Sequence, residues 1–396
     1  MALSAEIPLS RPDITAREEE LVLAVLRSGR LSIGPMVERF EEMLAHRSGC
    51  RFGVAVNSGT SGLHLVMASL GIGEGDEVVT TPFSFVASAN CILFQRATPK
   101  LVDIDPVSLN MDPIAVEAAI SSKTKAVVGV ATFGSLAHMD VYEKIADANG
   151  IALVEDCCEA LGATLGGKPA GSFGTAGVFG FYPNKQITTG EGGMVVTNDS
   201  GVAELCRSMR NQGRPIGGTH STTSASGSHM GSWLKHERLG YNYRMSEVNA
   251  AIGVGQVERL DVILAKRENV ARKYHERLQE IDWISSLRVP QNGTMSWFVY
   301  VVQLAKEFSL SQRDAIIRSM REQQIGAADY FPCIHLQPFY AKQFKFKAGM
   351  FPVAEAIAER TIALPFFNDL SEAEIDRSVQ ALKTAGESAR IRRRVA

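Results

Sequence analysis

Between residues 52 and 156 the chain alternates short apolar runs with helical patterns. The runs are FGVAVN (52–57), DEVVTT (76–81), KLVDID (100–105), KAVVGVAT (125–132) and IALVED (151–156). Candidate helices lie near 60–70, 85–95, 112–120 and 139–149. Nearly continuous apolar strands alternating with helices predict an α/β fold whose largely parallel sheet is covered on both faces. Two further runs, AGVFGF (176–181) and GGMVVTN (192–198), are joined by a short loop without a helix. They predict an antiparallel pair or a local departure from the parallel rule.

Helices precede the strands. Thr15 with Glu18 three residues on forms a capping box, Leu21, Val22, Val25 and Leu26 supply an apolar stripe, and Gly29 ends the helix. A second helix follows Gly34-Pro35, with Val37, Phe40 and Leu44 on one face. Residues 213–232 are rich in Gly, Ser and Thr and predict a long mobile loop. Helical pattern resumes from 246 to about 280, with a bend expected near Gly253–Gly255 or a break near Asp261. A strand at 297–304 and helices near 311–323 and 353–361 predict a smaller α/β unit. The expected organisation is a large domain over 1–250, including the N-terminal helices, and a smaller one over 251–396 that begins with the bridging helix.

Composition narrows the function classes. The chain has 396 residues, 45% of them hydrophobic and 21% charged, with a net charge of −2. That is ordinary for a globular protein, and it provides no global field for nucleic acid or membrane. The run Arg390, Arg392, Arg393, Arg394 reads as a solvated tail. No stretch is apolar for long enough to span a bilayer, and the N-terminal segment lacks the pattern of a secretory signal. The cysteines at 50, 91, 157, 158, 206 and 333 form no CxxC pair and no zinc spacing. Free thiols in the cytoplasm are the natural expectation.

Three segments carry candidate chemistry. Asn57-Ser58-Gly59-Thr60-Ser61-Gly62 joins a strand to a helix, where free backbone N–H groups make an anion site. Val154-Glu155-Asp156 ends a buried strand and brings an acid to the carboxyl edge of the sheet, where α/β folds bind ligands. Lys185, in FYPNKQ, follows another buried strand and precedes the Gly-rich TTGEGG. Partial desolvation there favours a neutral, nucleophilic amine. Taken singly, each has a plainer explanation: turn geometry, a helix N-cap at Asp156, and a surface lysine.

Together the segments NSGTSGLHL, TPFSFVASAN, VEDCCEALGA, GSFGTAGVFGFYPNKQITTGEGGMVVTND and RLGYNYRMSEVNAAIG resemble the DegT/DnrJ/EryC1/StrS aminotransferases, a sugar aminotransferase branch of the fold-type I enzymes that use pyridoxal 5′-phosphate (PLP). The resemblance runs from about residue 8 to residue 383. It implies a mostly parallel seven-stranded sheet and a homodimer with shared active sites. Lys185 would form the Schiff base and later serve as the base, and Asp156 would pair with the pyridinium nitrogen. Phe85 would stack on the ring, and Gly59, Thr60 and Ser61 would cradle the phosphate. Asn242 would reach the phosphate of the neighbouring subunit. Arg244 would pair with a carboxylate of the amino donor, and its plainer role is an ion pair with Glu247. His335, in CIHLQPFY, would lie near the sugar.

Two positions depart from the family pattern. Gly180 stands where a phosphate-binding serine is common. Glu159 stands where a neutral or basic side chain commonly meets the ring's phenolic oxygen, so it must point elsewhere or hold its proton. The activity implied is transfer of an amino group, with L-glutamate as donor, to the keto group of a nucleotide-linked sugar in polysaccharide or secondary-metabolite synthesis. A cyclitol ketone or another non-sugar acceptor is an alternative. A PLP-dependent sugar dehydratase is another, and Lys185 speaks against it because such relatives replace the lysine. A scaffold that has merely kept the fold would not need both Lys185 and Asp156. A nicotinamide enzyme is disfavoured because no GxGxxG follows the first strand.

Overall fold

The first helix begins where its capping box requires. In the computed structural model, which describes residues 6–215 and 235–395, α1 (Ala16–Ser28) starts after Thr15, with both reciprocal bonds of the box formed. It ends at Gly29 in the left-handed region, φ 70°. Leu21 and Val25 are buried, whereas Leu26, expected in the same stripe, is exposed. The inward face also holds Glu18, which is 1% exposed and accepts from Gln256. Helix α2 (Pro35–Arg47) opens with its proline at the first turn and buries Val37, Phe40 and Leu44.

The alternating region then delivers β1 (Phe52–Val56), α3 (Gly59–Ser69), β2 (Glu77–Thr80), α4 (Ala87–Phe94), β3 (Thr98–Leu101), α5 (Pro113–Ala119), β4 (Thr124–Val130), α6 (Met139–Asn149) and β5 (Ala152–Asp156). Two short strands, β6 (Thr164–Leu165) and β7 (Lys168–Pro169), precede β8 (Ala176–Gly180), β9 (Gly193–Thr197) and α7 (Ser200–Arg210). Seven strands form one sheet in the order β1-β9-β8-β5-β4-β2-β3. Only β9 runs against its neighbours, so the parallel rule breaks at the predicted β8–β9 pair. Because β1 is also antiparallel to β9, the carboxyl ends of β1, β2, β4, β5 and β8 share one edge of the sheet.

The run KLVDID pairs over Thr98–Leu101, not over 100–105. Val102 and Ile104 stay buried beyond the ladder, which explains why the apolar pattern extends past the strand. Pro99 is tolerated because β3 is an edge strand.

The long helical pattern after 246 is two helices, α8 (Glu247–Glu258) and α9 (Leu260–Leu278). They part at Arg259, not at the glycines. Gly253 and Gly255 lie inside α8, where close neighbours leave no room for a side chain. A Cβ at Gly253 would stand 2.7 Å from the Phe40 ring, and one at Gly255 would stand 2.9 Å from Glu18. Arg259 instead reaches Asp13 and Glu18.

The remainder comprises β10 (Ile284–Ser286), β11 (Gly293–Thr294), β12 (Tyr300–Leu304), α10 (Leu310–Glu322), α11 (Pro338–Phe344), α12 (Pro352–Ala358), β13 (Thr361–Leu364) and α13 (Glu372–Val395). Strands β10-β12-β13 make an antiparallel sheet, and β11 joins β6 and β7 in a small third one. The expected boundary at residue 250 falls inside α8, which packs on α1 and α2. The core of the second sheet also takes in Ile7, Phe83, Leu101 and Phe133 from the first half of the chain. The basic run expected as a loose tail lies in α13, where Arg390 pairs with Asp282 at 3.3 Å. Residues 216–232 of the expected mobile loop lie outside the described residues.

Candidate active site

The shared carboxyl edge of the sheet collects the predicted chemistry. Asp156 is the last residue of β5. No helix follows it, so the N-cap role does not apply. Its Oδ2 accepts from Ser88 Oγ at 2.7 Å and its Oδ1 from Cys158 N at 3.2 Å. Ser88 is a site residue that sequence reasoning missed. The available signal was its position three residues after Phe85, one turn along the same segment.

Lys185 lies beyond the end of β8, with its backbone N–H bonded to Tyr182 O at 2.9 Å. Its Nζ stands 3.6 Å from Glu159 Oε1 and 4.3 Å from the centroid of the Phe298 ring. The first distance suits an ion pair and exceeds an ordinary hydrogen bond. Phe298 was also missed, although it falls in the predicted strand at 297–304. Below it, the buried Arg267 donates to the Trp297 and Phe298 carbonyls and fixes that wall.

Glu159 is 7% exposed. Its Oε2 accepts from Phe133 N at 2.8 Å. Burial raises its carboxyl above the usual range, and the Lys185 charge acts in the opposite direction.

Helix α3 begins at Gly59, and Ser58 caps it by accepting from Ser61 N. The N–H groups of Gly59 and Thr60 stand in the first turn, where a helix has no acceptor for them. Such N–H groups can donate to an anion. Ser61 differs from expectation, because its hydroxyl already donates to Asn57 Oδ1 at 2.7 Å. Close packing explains the nearby glycines. A Cβ on Gly193 would lie 2.6 Å from Ser58 C, and one on Gly59 would lie 2.7 Å from Cys158 Sγ. A Cβ on Gly180 would stand 3.2 Å from the same sulfur. The Cys158 thiol therefore fills the space beside Gly180, where the resemblance led to the expectation of a serine.

The GYNYR segment runs along the end of β1. Asn57 N donates to Tyr243 O at 2.9 Å, and Arg244 bridges to Val56. Asn242 is exposed beside the same turn, its carbonyl accepting from Asn57 Nδ2 at 3.4 Å. Arg244 does not pair with Glu247. Glu247 is buried and accepts from the N–H groups of Gly34, Met36 and Val37 at the start of α2. Arg244 donates to Asn211 at 3.0 Å, and burial together with Arg214 and Arg210 lowers its guanidinium from the ordinary value. Phe85 is 62% exposed, so its ring face is open to a ligand.

His335 does not join this group. Its ring is fully enclosed, with Nε2 2.9 Å from Glu355 Oε1 and the ring packed against Phe351. Glu355 in turn accepts from Gly349 N and Phe351 N. An enclosed ring that ties down this loop has no surface to offer a sugar, so the substrate role expected for His335 is withdrawn.

A lysine, a buried aspartate and an open helix N-terminus on one sheet edge are the groups a phosphorylated pyridine aldehyde needs. The chain matches the profile of the DegT/DnrJ/EryC1/StrS aminotransferase family over residues 12–383. The chain belongs to that family. It is 36% identical over 379 residues to the spore coat polysaccharide biosynthesis protein SpsC of Bacillus subtilis, covering 95% of this chain and 96% of SpsC. It is 35% identical over 378 residues to GDP-perosamine synthase of Caulobacter vibrioides, covering 95% and 97%. Spr1654 of Streptococcus pneumoniae, solved in PLP and PMP forms, superposes with a TM-score of 0.89 at 27% identity, covering 97% of this chain and 100% of that one. DegT-family aminotransferases use PLP, and this chain is a PLP-dependent aminotransferase.

The Gly180–Cys158 contact yields a prediction for this family member. Gly180→Ser is expected to weaken PLP binding about tenfold, since overpacking a tight site costs about 1–3 kcal/mol. Gly180→Ser with Cys158→Ala is expected to restore binding. Titration of the visible cofactor band checks both, and wild-type affinity in the single variant would show that the thiol does not limit the space.

Proposed function

We propose that this enzyme moves an amino group from L-glutamate to a keto group of a nucleotide-linked sugar, within polysaccharide or secondary-metabolite synthesis. The reading is carried by the convergence of Lys185, Asp156 and the α3 N-terminus on one sheet edge. The sugar and the pathway class are supported by the relatives, one named for GDP-perosamine and one for a coat polysaccharide. The cytoplasm is the proposed compartment. Among the described residues no helix is long and apolar enough to cross a membrane.

When bound, PLP supplies an electron sink for charge that develops on the carbon bearing the amine. Lys185 would hold it through Nζ and, once released, take and return a proton as general base. Asp156 would keep a proton on the ring nitrogen, and the Ser88 hydroxyl holds that carboxylate in orientation. The Gly59 and Thr60 N–H groups would bind the phosphate, and Phe85 would cover one ring face. Arg244 suits a donor carboxylate because its fork is bidentate and, among the described residues, no carboxylate pairs with it. Asn242 would contact the phosphate across a homodimer interface. The exposed apolar side chains of Phe85, Phe94, Tyr182 and Leu239, all on segments that build the site, support such an interface.

A half-reaction screen tests the proposal. L-glutamate is expected to bleach the visible band of the PLP-loaded dimer, and a nucleotide ketosugar is expected to restore it. A band insensitive to glutamate overturns the donor. Restoration by cyclitol ketones but by no nucleotide sugar overturns the acceptor.

A further inference from the structure

Asp156 stands at the end of a chain of hydroxyls. Ser84 Oγ lies 3.0 Å from Ser88 Oγ, which lies 2.7 Å from Asp156 Oδ2. All three side chains are buried. The direction of the chain follows from its end. A carboxylate has no proton to give, so Ser88 donates to it. A hydroxyl has a single proton, so toward Ser84 the Ser88 oxygen can only accept. Ser84 is therefore the donor. The Ser88 hydroxyl has a second acceptor within reach, the Phe85 carbonyl at 3.4 Å. A hydroxyl that accepts a hydrogen bond is a stronger donor, and the gain is larger toward a charged acceptor than toward a carbonyl. Ser84 thus biases Ser88 toward Asp156. The segment that carries both serines is tied down at each end. Ile334 N donates to Pro82 O at 2.8 Å, and Tyr340 Oη donates to Asn90 Oδ1 at 2.6 Å.

We propose that Ser84 is a positioning residue for the cofactor site: by donating to Ser88 it keeps the Ser88 hydroxyl on Asp156, and so holds that carboxylate in place for the ring nitrogen of PLP. This rests on the reading that Asp156 pairs with that nitrogen. Ser84 acts only through Ser88. The other carboxylate oxygen, Oδ1, is restrained separately by Cys158 N. Loss of Ser84 therefore loosens one oxygen of Asp156 and leaves the other held.

The test compares the affinity of the apo-protein for PLP and for the PLP analogue with a C–H in place of the ring nitrogen, by equilibrium dialysis. Only the nitrogen can use Asp156. The ratio of the two affinities therefore reads this contact, and effects on the phosphate, the ring faces or Lys185 cancel in it. Wild type is expected to prefer PLP. Ser88→Ala is expected to cut that preference about tenfold and Ser84→Ala about fivefold, in the range of single hydrogen bonds. Within the Ser88→Ala protein, adding Ser84→Ala is expected to change the ratio no further. Ser84→Thr keeps the hydroxyl and is expected to keep the wild-type ratio. An unchanged ratio in Ser84→Ala, or the same drop with and without Ser88, overturns the proposal. Ser84→Cys, a weaker donor of similar shape, gives a second reading if the alanine variant folds poorly. A ratio below wild type is expected there, and an equal one overturns the proposal. Equal affinity of wild type for the two compounds would instead overturn the pairing of Asp156 with the ring nitrogen, and the role of Ser84 with it.

Discussion

Lys185→Ala is expected to remove the visible band of covalently held PLP and to lower turnover by at least roughly 10³-fold. General base catalysis alone contributes roughly 10²–10⁴-fold, and the variant also loses the group that holds the cofactor. The fold should survive. The backbone bond from Lys185 N to Tyr182 O does not involve the side chain, and among the described residues the amine makes one ion pair, at 3.6 Å. PLP should still bind through Gly59, Thr60 and Asp156, so the protein is expected to retain cofactor that absorbs like the free aldehyde. Absorbance spectra and single-turnover rates check both parts. A variant with the wild-type band would show that another amine carries the cofactor.

The large sheet was legible because its strands are buried on both faces and read as unbroken apolar runs. What the pattern could not supply was where pairing stops. Val102 and Ile104 remain buried after β3 ends, so burial and strand length diverge there. Helix α13 was missed for a different reason. Its inward stripe includes Ile375, Ser378, Leu382, Ala385 and Ala389, mostly small residues with a weak hydrophobic signal. Gly386 lies under Trp283, whose ring supplies the bulk that the helix lacks. In the site, Lys185 and Asp156 were legible because strand ends in such sheets face the ligand edge. Ser88 and Phe298 were not, because each matters only through a contact far along the chain. His335 shows the converse: its segment resembles the family's, yet its ring is spent on Glu355.

The neighbours Glu155 and Asp156 are adjacent acids in one motif with opposite duties, and alternation along β5 separates them. Asp156 faces the site edge. Glu155 is fully buried, where its Oε1 accepts from Phe173 N at 2.7 Å and Gly174 N at 2.9 Å, and its Oε2 from Gly171 N at 2.9 Å. This carboxylate is the acceptor for the loop that leads into β8, and so for the strand that delivers Lys185. Glu155→Ala is expected to leave three buried N–H groups without partners. At about 1–3 kcal/mol each, the loss is about 3–9 kcal/mol, against a total stability of about 5–15 kcal/mol. Glu155→Gln is expected to cost about 1–3 kcal/mol. Its carbonyl can still serve Phe173 and Gly174, but its amide would meet the Gly171 N–H donor to donor. Denaturant midpoints of the two variants check the order, and equal stability of Glu155→Ala and wild type would show that another acceptor serves the loop. The PLP band of any folded Glu155→Gln is expected to be unchanged, because this residue acts on the frame and not on the cofactor.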